Sequence, residues 1–327
     1  MSSTPVAAPP ASSLLSRYQS WLLAAILAFT LLRGTAWAFI IPPLDAPDEP
    51  SHLMVVAQMR DYHILPVAHL LDPSTVSSDS TPRPQWLLDY FVQPPNHFTR
   101  FRALPYESTQ PPLYYLLCTA LTLPLPDDPQ TLLYACRLIS VLLGTLTVFV
   151  AARAAATLAP GRPAFNLGVP LALSLWPQFA FQTATVTNDI AIDLVGATIA
   201  WAWAEAMRQP QQRRWPPLLG ALTALGLLTK LTMVSTLPGT ALVLLGRARS
   251  GPRTVAGWLR ETAIAAVIGV ALIGPWVVRN LQTYGEPTGA SPMVQVVHGI
   301  YLNRLGLTTS PLIIVPPLGD AIWRSFA

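Results

Sequence analysis

Charged residues are scarce in this sequence. Of its 327 residues, 11% are Asp, Glu, Lys or Arg, and 52% are hydrophobic. A soluble domain has about 25% charged residues, and a disordered chain has low hydrophobicity. The composition therefore excludes an ordinary cytosolic enzyme and an intrinsically disordered protein, and it predicts an all-α polytopic membrane protein.

Cysteine and lysine are nearly absent. Cys118 and Cys136 lie in or beside apolar runs and match no metal-ligand spacing, so we expect buried, unreactive thiols, or a disulfide if that side is oxidising. No Gly-rich phosphate loop is evident, and no nucleotide cofactor is expected. The net charge of +4 does not indicate nucleic-acid binding, because the arginines flank apolar segments.

Seven apolar segments are predicted to cross the membrane as one unit over residues 21–279. A signal peptide is the alternative for the first segment, because Ala36-Trp37-Ala38 resembles a cleavage site. Its length favours an uncleaved span, preceded by a disordered cytosolic tail over residues 1–20. The predicted segments are 21–41, 131–158, 164–183, 190–207, 216–229, 231–246 and 258–279.

The distribution of arginine predicts the orientation. If each segment crosses once, one side collects Arg17 and the basic connections, and the positive-inside rule makes that side cytoplasmic. The loops 42–130 and 280–327 then lie outside. The second loop stops as another element begins, so we expect the chain to be C-terminally truncated. The arginines in the basic connections are Arg153, Arg162, Arg208, Arg213, Arg214, Arg247, Arg249, Arg253 and Arg260.

The first outer loop, 42–130, concentrates polar chemistry. It holds ten of the sixteen acidic residues and four of the five histidines. We expect a helix over 49–64, and a juxtamembrane or re-entrant helix over 113–123, which is too short to span. Tyr114 and Tyr115 at its start are interpreted as interfacial anchors.

Adjacent carboxylates at Asp48 and Glu49 form the strongest local signal in that loop. Such groups repel unless a proton, a cation or helix amides stabilise them, so one of them is a candidate base. Glu49 and His52 are three residues apart and share a helix face, a spacing that suits a divalent metal ion. The plain alternative is a surface helix capped by Asp48.

Four more residues are candidates near the outer ends of later spans. Asp189 begins one span, either as a helix cap or as a site residue, with Asp193 one turn further on. Lys230 is the sole lysine and lies between two apolar spans, where snorkelling is the alternative explanation. With Arg279 it is predicted to form a cationic pocket for the phosphate of a lipid whose tail lies between helices.

The order of these features resembles the GT-C glycosyltransferases. It is most similar to the protein mannosyltransferase and aminoarabinose transferase branch and to related bacterial families without assigned substrates, over about residues 20–300. The features in order are Asp48-Glu49, Glu107 before Pro111-Pro112-Leu113-Tyr114-Tyr115, Arg137-Leu138-Ile139-Ser140, Asp189, Gly226-Leu227-Leu228-Thr229-Lys230 and Trp276-Val277-Val278-Arg279-Asn280.

This resemblance implies a seven-helix module that transfers sugar from a polyprenyl-phosphate donor to an unidentified acceptor on the extracytoplasmic side of the cell membrane. Asp48 or Glu49 matches the base, and Asp189, Lys230 and Arg279 match the donor site. Glu107 resembles an acid that helps to hold a metal, which makes Glu49, His52 and Glu107 the candidate metal ligands. The rival hypotheses are a polyprenyl-lipid-binding or transport protein, and a structural partner in a cell-envelope assembly.

Overall fold

All regular structure in the computed structural model is helical over the described residues, 11–67, 85–92, 106–249 and 255–291. This confirms the predicted all-α fold class. Two short 3₁₀-helices, Tyr106–Thr109 and Leu231–Ser235, join the α-helices. The α-helices are α1 Ala11–Ile40, α2 Glu49–Tyr62, α3 Gln85–Val92, α4 Leu113–Thr122, α5 Pro129–Leu158, α6 Pro163–Leu175, α7 Pro177–Thr183, α8 Asp189–Arg208, α9 Trp215–Leu227, α10 Thr236–Arg249 and α11 Val255–Tyr284.

Four of these helices are long and apolar enough to cross a membrane: α1 from Arg17, α5, α8 and α11. Further apolar stretches are shorter, and they include α4, α6, α9 and the 3₁₀-helix that continues into α10. The chain is a multi-pass membrane protein. The number of seven crossings stays a prediction, because three of the seven expected segments are shorter than a full span.

Two predicted boundaries were wrong. Helix α1 begins at Ala11, because residues 11–41 contain no proline to interrupt it. The rest of the predicted tail lies outside the described residues. The expected segment 164–183 is divided at Trp176, which is extended with ψ 121° before Pro177 begins α7. A proline disfavours the helical conformation in the residue before it, so α6 ends there.

The basic connections meet at one end of the helix bundle. Arg247 is fully buried there and donates hydrogen bonds to the carbonyl oxygens of Ala206 and Gln212 and to the carboxylate of Glu261. Thr157, near the end of α5, accepts the indole N–H of Trp201. The hydrogen bonds bring together three connections that the arginine pattern had assigned to one side.

The first outer loop packs against the opposite end of the bundle. Helix α2 is mostly buried, and it contacts α4, α5 and the 3₁₀-helix Tyr106–Thr109. The backbone N–H of Leu113 donates to the carbonyl oxygen of Leu228 at 2.9 Å, which joins the start of α4 to the turn before Lys230. Of the predicted loop 280–327, residues 292–327 lie outside the described part.

Candidate functional site

A buried ion pair holds the start of α2 in place. Nε and Nη2 of Arg137 donate to the two carboxylate oxygens of Glu49 at 2.9 and 2.6 Å, and both side chains are fully buried. The backbone N–H of Val186 donates to the same carboxylate at 2.9 Å. Arg137 also donates to the carbonyl oxygens of Ala38, Ile41 and Pro42. Both oxygens of Glu49 are therefore occupied.

Asp48, the neighbour of Glu49, is exposed. It has a left-handed backbone, with φ 60°, and its side chain makes no capping hydrogen bond to α2. Asp48 therefore occupies the predicted N-cap position, where its carbonyl oxygen accepts the N–H of His52 at 3.0 Å, but its side chain does not cap the helix. Left-handed backbone is unfavourable for a residue with a Cβ, and such positions concentrate at functional sites.

His52, Tyr115 and Glu107 form a buried cluster below Asp48. The Tyr115 hydroxyl lies 2.8 Å from Nδ1 of His52 and donates to Oε2 of Glu107 at 3.3 Å. Nδ1 of His52 is 3.7 Å from the same Glu107 oxygen. Both tyrosines at the start of α4 are buried, and Tyr114 bonds Ser140. Their interpretation as interfacial anchors was wrong.

Burial and neighbouring charges shift the pKa of the Glu107 carboxyl group. Burial raises its pKa above the ordinary value, because water no longer solvates the charged form. His52 and Lys230 act in the opposite direction, whereas the negative charge of Asp48 raises the pKa further. Asp48 and Lys230, which are far apart in sequence, therefore act on the same carboxyl group.

Lys230 is paired with Asp189. Its Nζ lies 2.5 Å from Oδ1 of Asp189, and both side chains remain partly exposed, at 26% and 36%. The pair joins the start of α8 to the turn between α9 and the next helix. Because both groups are partly solvated, the ammonium group stays accessible to an anion.

Arg279 has a different set of contacts near the end of α11. It donates to the carbonyl oxygen of Pro66 at 2.5 Å and to Oδ1 of Asn280 at 3.0 Å. Its guanidinium lies 4.8 Å from the ring centre of Trp276 and 5.1 Å from that of Tyr284. These contacts tie α11 to the segment after α2. The phosphate pocket shared by Arg279 and Lys230 stays a prediction.

The three candidate metal ligands do not converge. Arg137 holds Glu49, while His52 and Glu107 pair with each other through Tyr115. Among the described residues, no three His, Cys, Asp or Glu side chains are close enough to share a metal ion. The donor set therefore does not fit a three-ligand metal centre.

Sequence reasoning missed the structural role of Arg137. An arginine inside an apolar run is costly in a membrane unless it is paired, and that signal was available.

The buried thiols of Cys118 and Cys136 are free, in agreement with the expectation of unreactive cysteines.

A family model described as dolichyl-phosphate-mannose-protein mannosyltransferase matches residues 110–278, just over half of the chain. The chain belongs to this family. The membership confirms the resemblance to GT-C membrane glycosyltransferases, a class that uses polyprenyl-phosphate sugar donors. No curated protein and no solved structure matches the chain significantly.

The matched region of the mannosyltransferase family contains Asp189 and Lys230 but ends before Arg279. It also begins after Asp48, Glu49 and Glu107. The roles of the acidic loop residues therefore depend on the geometry of this chain.

Proposed function

We propose that this chain transfers a sugar from a polyprenyl-phosphate donor to an acceptor hydroxyl at the extracytoplasmic face of the cell membrane. One observation carries the proposal. The sole lysine, Lys230, forms an ion pair with Asp189 at one end of the helix bundle. The carboxyl groups of Asp48 and Glu107 lie at the same end. A cation and a carboxylate are the two groups that displacement of a phosphate by a hydroxyl requires.

The direction in which this end faces is inferred from charge. Arg247 and the other basic connections lie at the opposite end, which the positive-inside rule assigns to the cytoplasm. The site end then faces the extracytoplasmic side. A donor whose lipid tail stays in the bilayer reaches Lys230 without leaving the membrane.

The proposed reaction is a direct displacement at the anomeric carbon. The Asp48 carboxylate accepts the proton of the acceptor hydroxyl while the oxygen forms a bond to that carbon. The bond between the carbon and the phosphate oxygen breaks, and its electron pair leaves with the phosphate. Lys230 stabilises the resulting dianion. Glu49 acts as a positioning residue, because its ion pair with Arg137 fixes the backbone next to Asp48.

The test is sugar transfer by the purified chain in proteoliposomes. Polyprenyl phosphates that carry radiolabelled sugars are supplied together with an extract of acceptor glycans, lipids and proteins. We expect label to leave the polyprenyl fraction in the presence of wild type and to remain there with Lys230→Ala. Movement of the lipid between leaflets without sugar transfer would instead establish a transport protein and refute the proposal.

A further inference from the structure

Asn188 is a buried amide that has no hydrogen-bond partner in the described part of the chain. Its side chain lies at the N-terminal boundary of α8 and is 1% exposed. Neither Oδ1 nor Nδ2 has a partner among the described residues, and the side chain does not cap the helix. Buried polar groups are nearly always paired, so this amide requires an explanation.

The residues on either side of Asn188 belong to the candidate site. Asp189 binds Lys230, and the N–H of Val186 binds Glu49, which is itself fixed by Arg137. Two anchors therefore hold the short segment that contains Asn188. Because this segment is fixed, the Asn188 side chain has little freedom to find another partner. Leaving its buried amide unpaired costs free energy.

The chemistry of the missing partner follows from the two unpaired atoms. Nδ2 requires an acceptor and Oδ1 requires a donor. A phosphate dianion offers acceptors only, so it would leave Oδ1 unpaired. A hydroxyl group both donates and accepts, and a pair of sugar hydroxyls satisfies the whole amide. Hydroxyl groups therefore complement both atoms of the Asn188 amide, whereas a phosphate complements Nδ2 alone.

We propose that Asn188 binds hydroxyl groups of the donor's sugar and thereby distinguishes sugar-loaded from bare polyprenyl phosphate. This inference rests on the proposed function, and it assigns two parts of the donor to two different residues. Lys230 binds the phosphate, which loaded and bare lipids share, and Asn188 binds the part that only the loaded lipid has.

The test compares lipid binding by native mass spectrometry of the full chain in detergent. The probes are bare polyprenyl phosphate and the same lipid carrying mannose, glucose, galactose or aminoarabinose. The variants are Asn188→Leu, which is close in shape, and Asn188→Ala, with Lys230→Ala as the phosphate-site control. We expect wild type to prefer at least one loaded lipid, and both Asn188 variants to lose that preference, by roughly tenfold, while still binding the bare lipid.

Each other outcome has a definite meaning. If the Asn188 variants keep the preference, or lose loaded and bare lipid equally, Asn188 does not bind the sugar. If wild type prefers no loaded lipid, the inference is overturned. If wild type and Lys230→Ala bind the bare lipid equally, or neither binds it, the proposed function itself has failed.

Thermal stability provides a second readout with a matched control. Asn166 is also buried, at the other end of the bundle, and in its hydrogen-bonding orientation its amide donates to the carbonyl oxygens of Ala155 and Ala159 at 3.1 and 3.2 Å. Asn166→Leu breaks these bonds and is expected to lower the unfolding temperature without changing the lipid preference. Asn188→Leu breaks no hydrogen bond to any described residue, so it is expected to leave the unfolding temperature unchanged or higher. A fall as large as that of Asn166→Leu would indicate a structural role and overturn the inference.

Discussion

Glu49 and Arg137 form a buried ion pair that joins the first outer loop to α5. Two guanidinium nitrogens meet the two carboxylate oxygens, and the rest of the guanidinium binds carbonyl oxygens at the end of α1. The pair therefore fixes three separate parts of the chain at one point. The pair thereby fixes the start of α2, next to Asp48.

Breaking this pair is expected to destabilise the fold. Arg137→Met leaves Glu49 as a buried charge whose remaining donor among the described residues is the N–H of Val186, and it removes the hydrogen bonds that Arg137 donates to the carbonyl oxygens of Ala38, Ile41 and Pro42. Removing one partner of a buried pair costs about 3–5 kcal/mol. Chemical unfolding in detergent measures the loss. Arg162→Met, at an exposed position, is the control, with an expected change within about 0.5 kcal/mol.

Asp48→Asn is expected to abolish most sugar transfer without loss of stability. A general base contributes about 10²–10⁴-fold to a rate, and an amide of the same shape cannot accept the proton. Asp45→Asn changes the same charge in the same exposed loop and should retain transfer. Initial rates with saturating donor separate the two variants. Equal rates for wild type and Asp48→Asn would remove Asp48 from the mechanism.

Lys230 should control retention of the donor lipid. Lys230→Ala is expected to lose co-purified polyprenyl phosphate, whereas Lys230→Arg keeps the positive charge and should retain part of it. Asp189→Asn frees the ammonium group from its ion pair and is not expected to abolish binding. Native mass spectrometry counts the bound lipid. Full retention by Lys230→Ala would place the phosphate elsewhere.

Glu107 is expected to make stability depend on pH. Its folded pKa is raised above the ordinary value of 4.5, so the folded state holds the proton more tightly than the unfolded state does. The associated stability is present below pH 4.5 and is lost as the pH rises through the folded pKa. Glu107→Gln lacks this ionisation. The unfolding temperature of wild type relative to Glu107→Gln should therefore fall as the pH rises, and parallel curves would contradict the assignment.

Gly220 is expected to be intolerant of any side chain. A Cβ at this position would overlap the backbone of Ala265, whose Cα would lie 2.8 Å away, where α9 and α11 pack. Gly220→Ala should destabilise by about 1–3 kcal/mol, the usual cost of overpacking. Gly168→Ala is the matched control, because its Cβ would meet no atom of the described residues within 4 Å. The measurement is again unfolding in detergent.

Much of the fold follows from the sequence, whereas the site follows only in part. Long apolar runs such as 131–158 predict helices directly, because lipid allows few alternatives. The spacing of Glu49 and His52 predicted that both side chains bind one metal ion. In the structure α2 is buried on several sides, and Glu49 pairs with Arg137, 88 positions away in the sequence. Local spacing carries no information about such distant partners. The unpaired amide of Asn188 likewise depends on tertiary packing.

The connections of Glu49 also constrain the order of biosynthesis. This carboxylate leaves the ribosome 88 residues before Arg137 and 137 residues before Val186. Until α5 has been inserted, Arg137 cannot compensate the burial of the Glu49 carboxylate, so we expect this carboxylate to stay solvated. The outer loop therefore docks only after synthesis has passed α5, and assembly of the site is delayed until the start of α8 emerges.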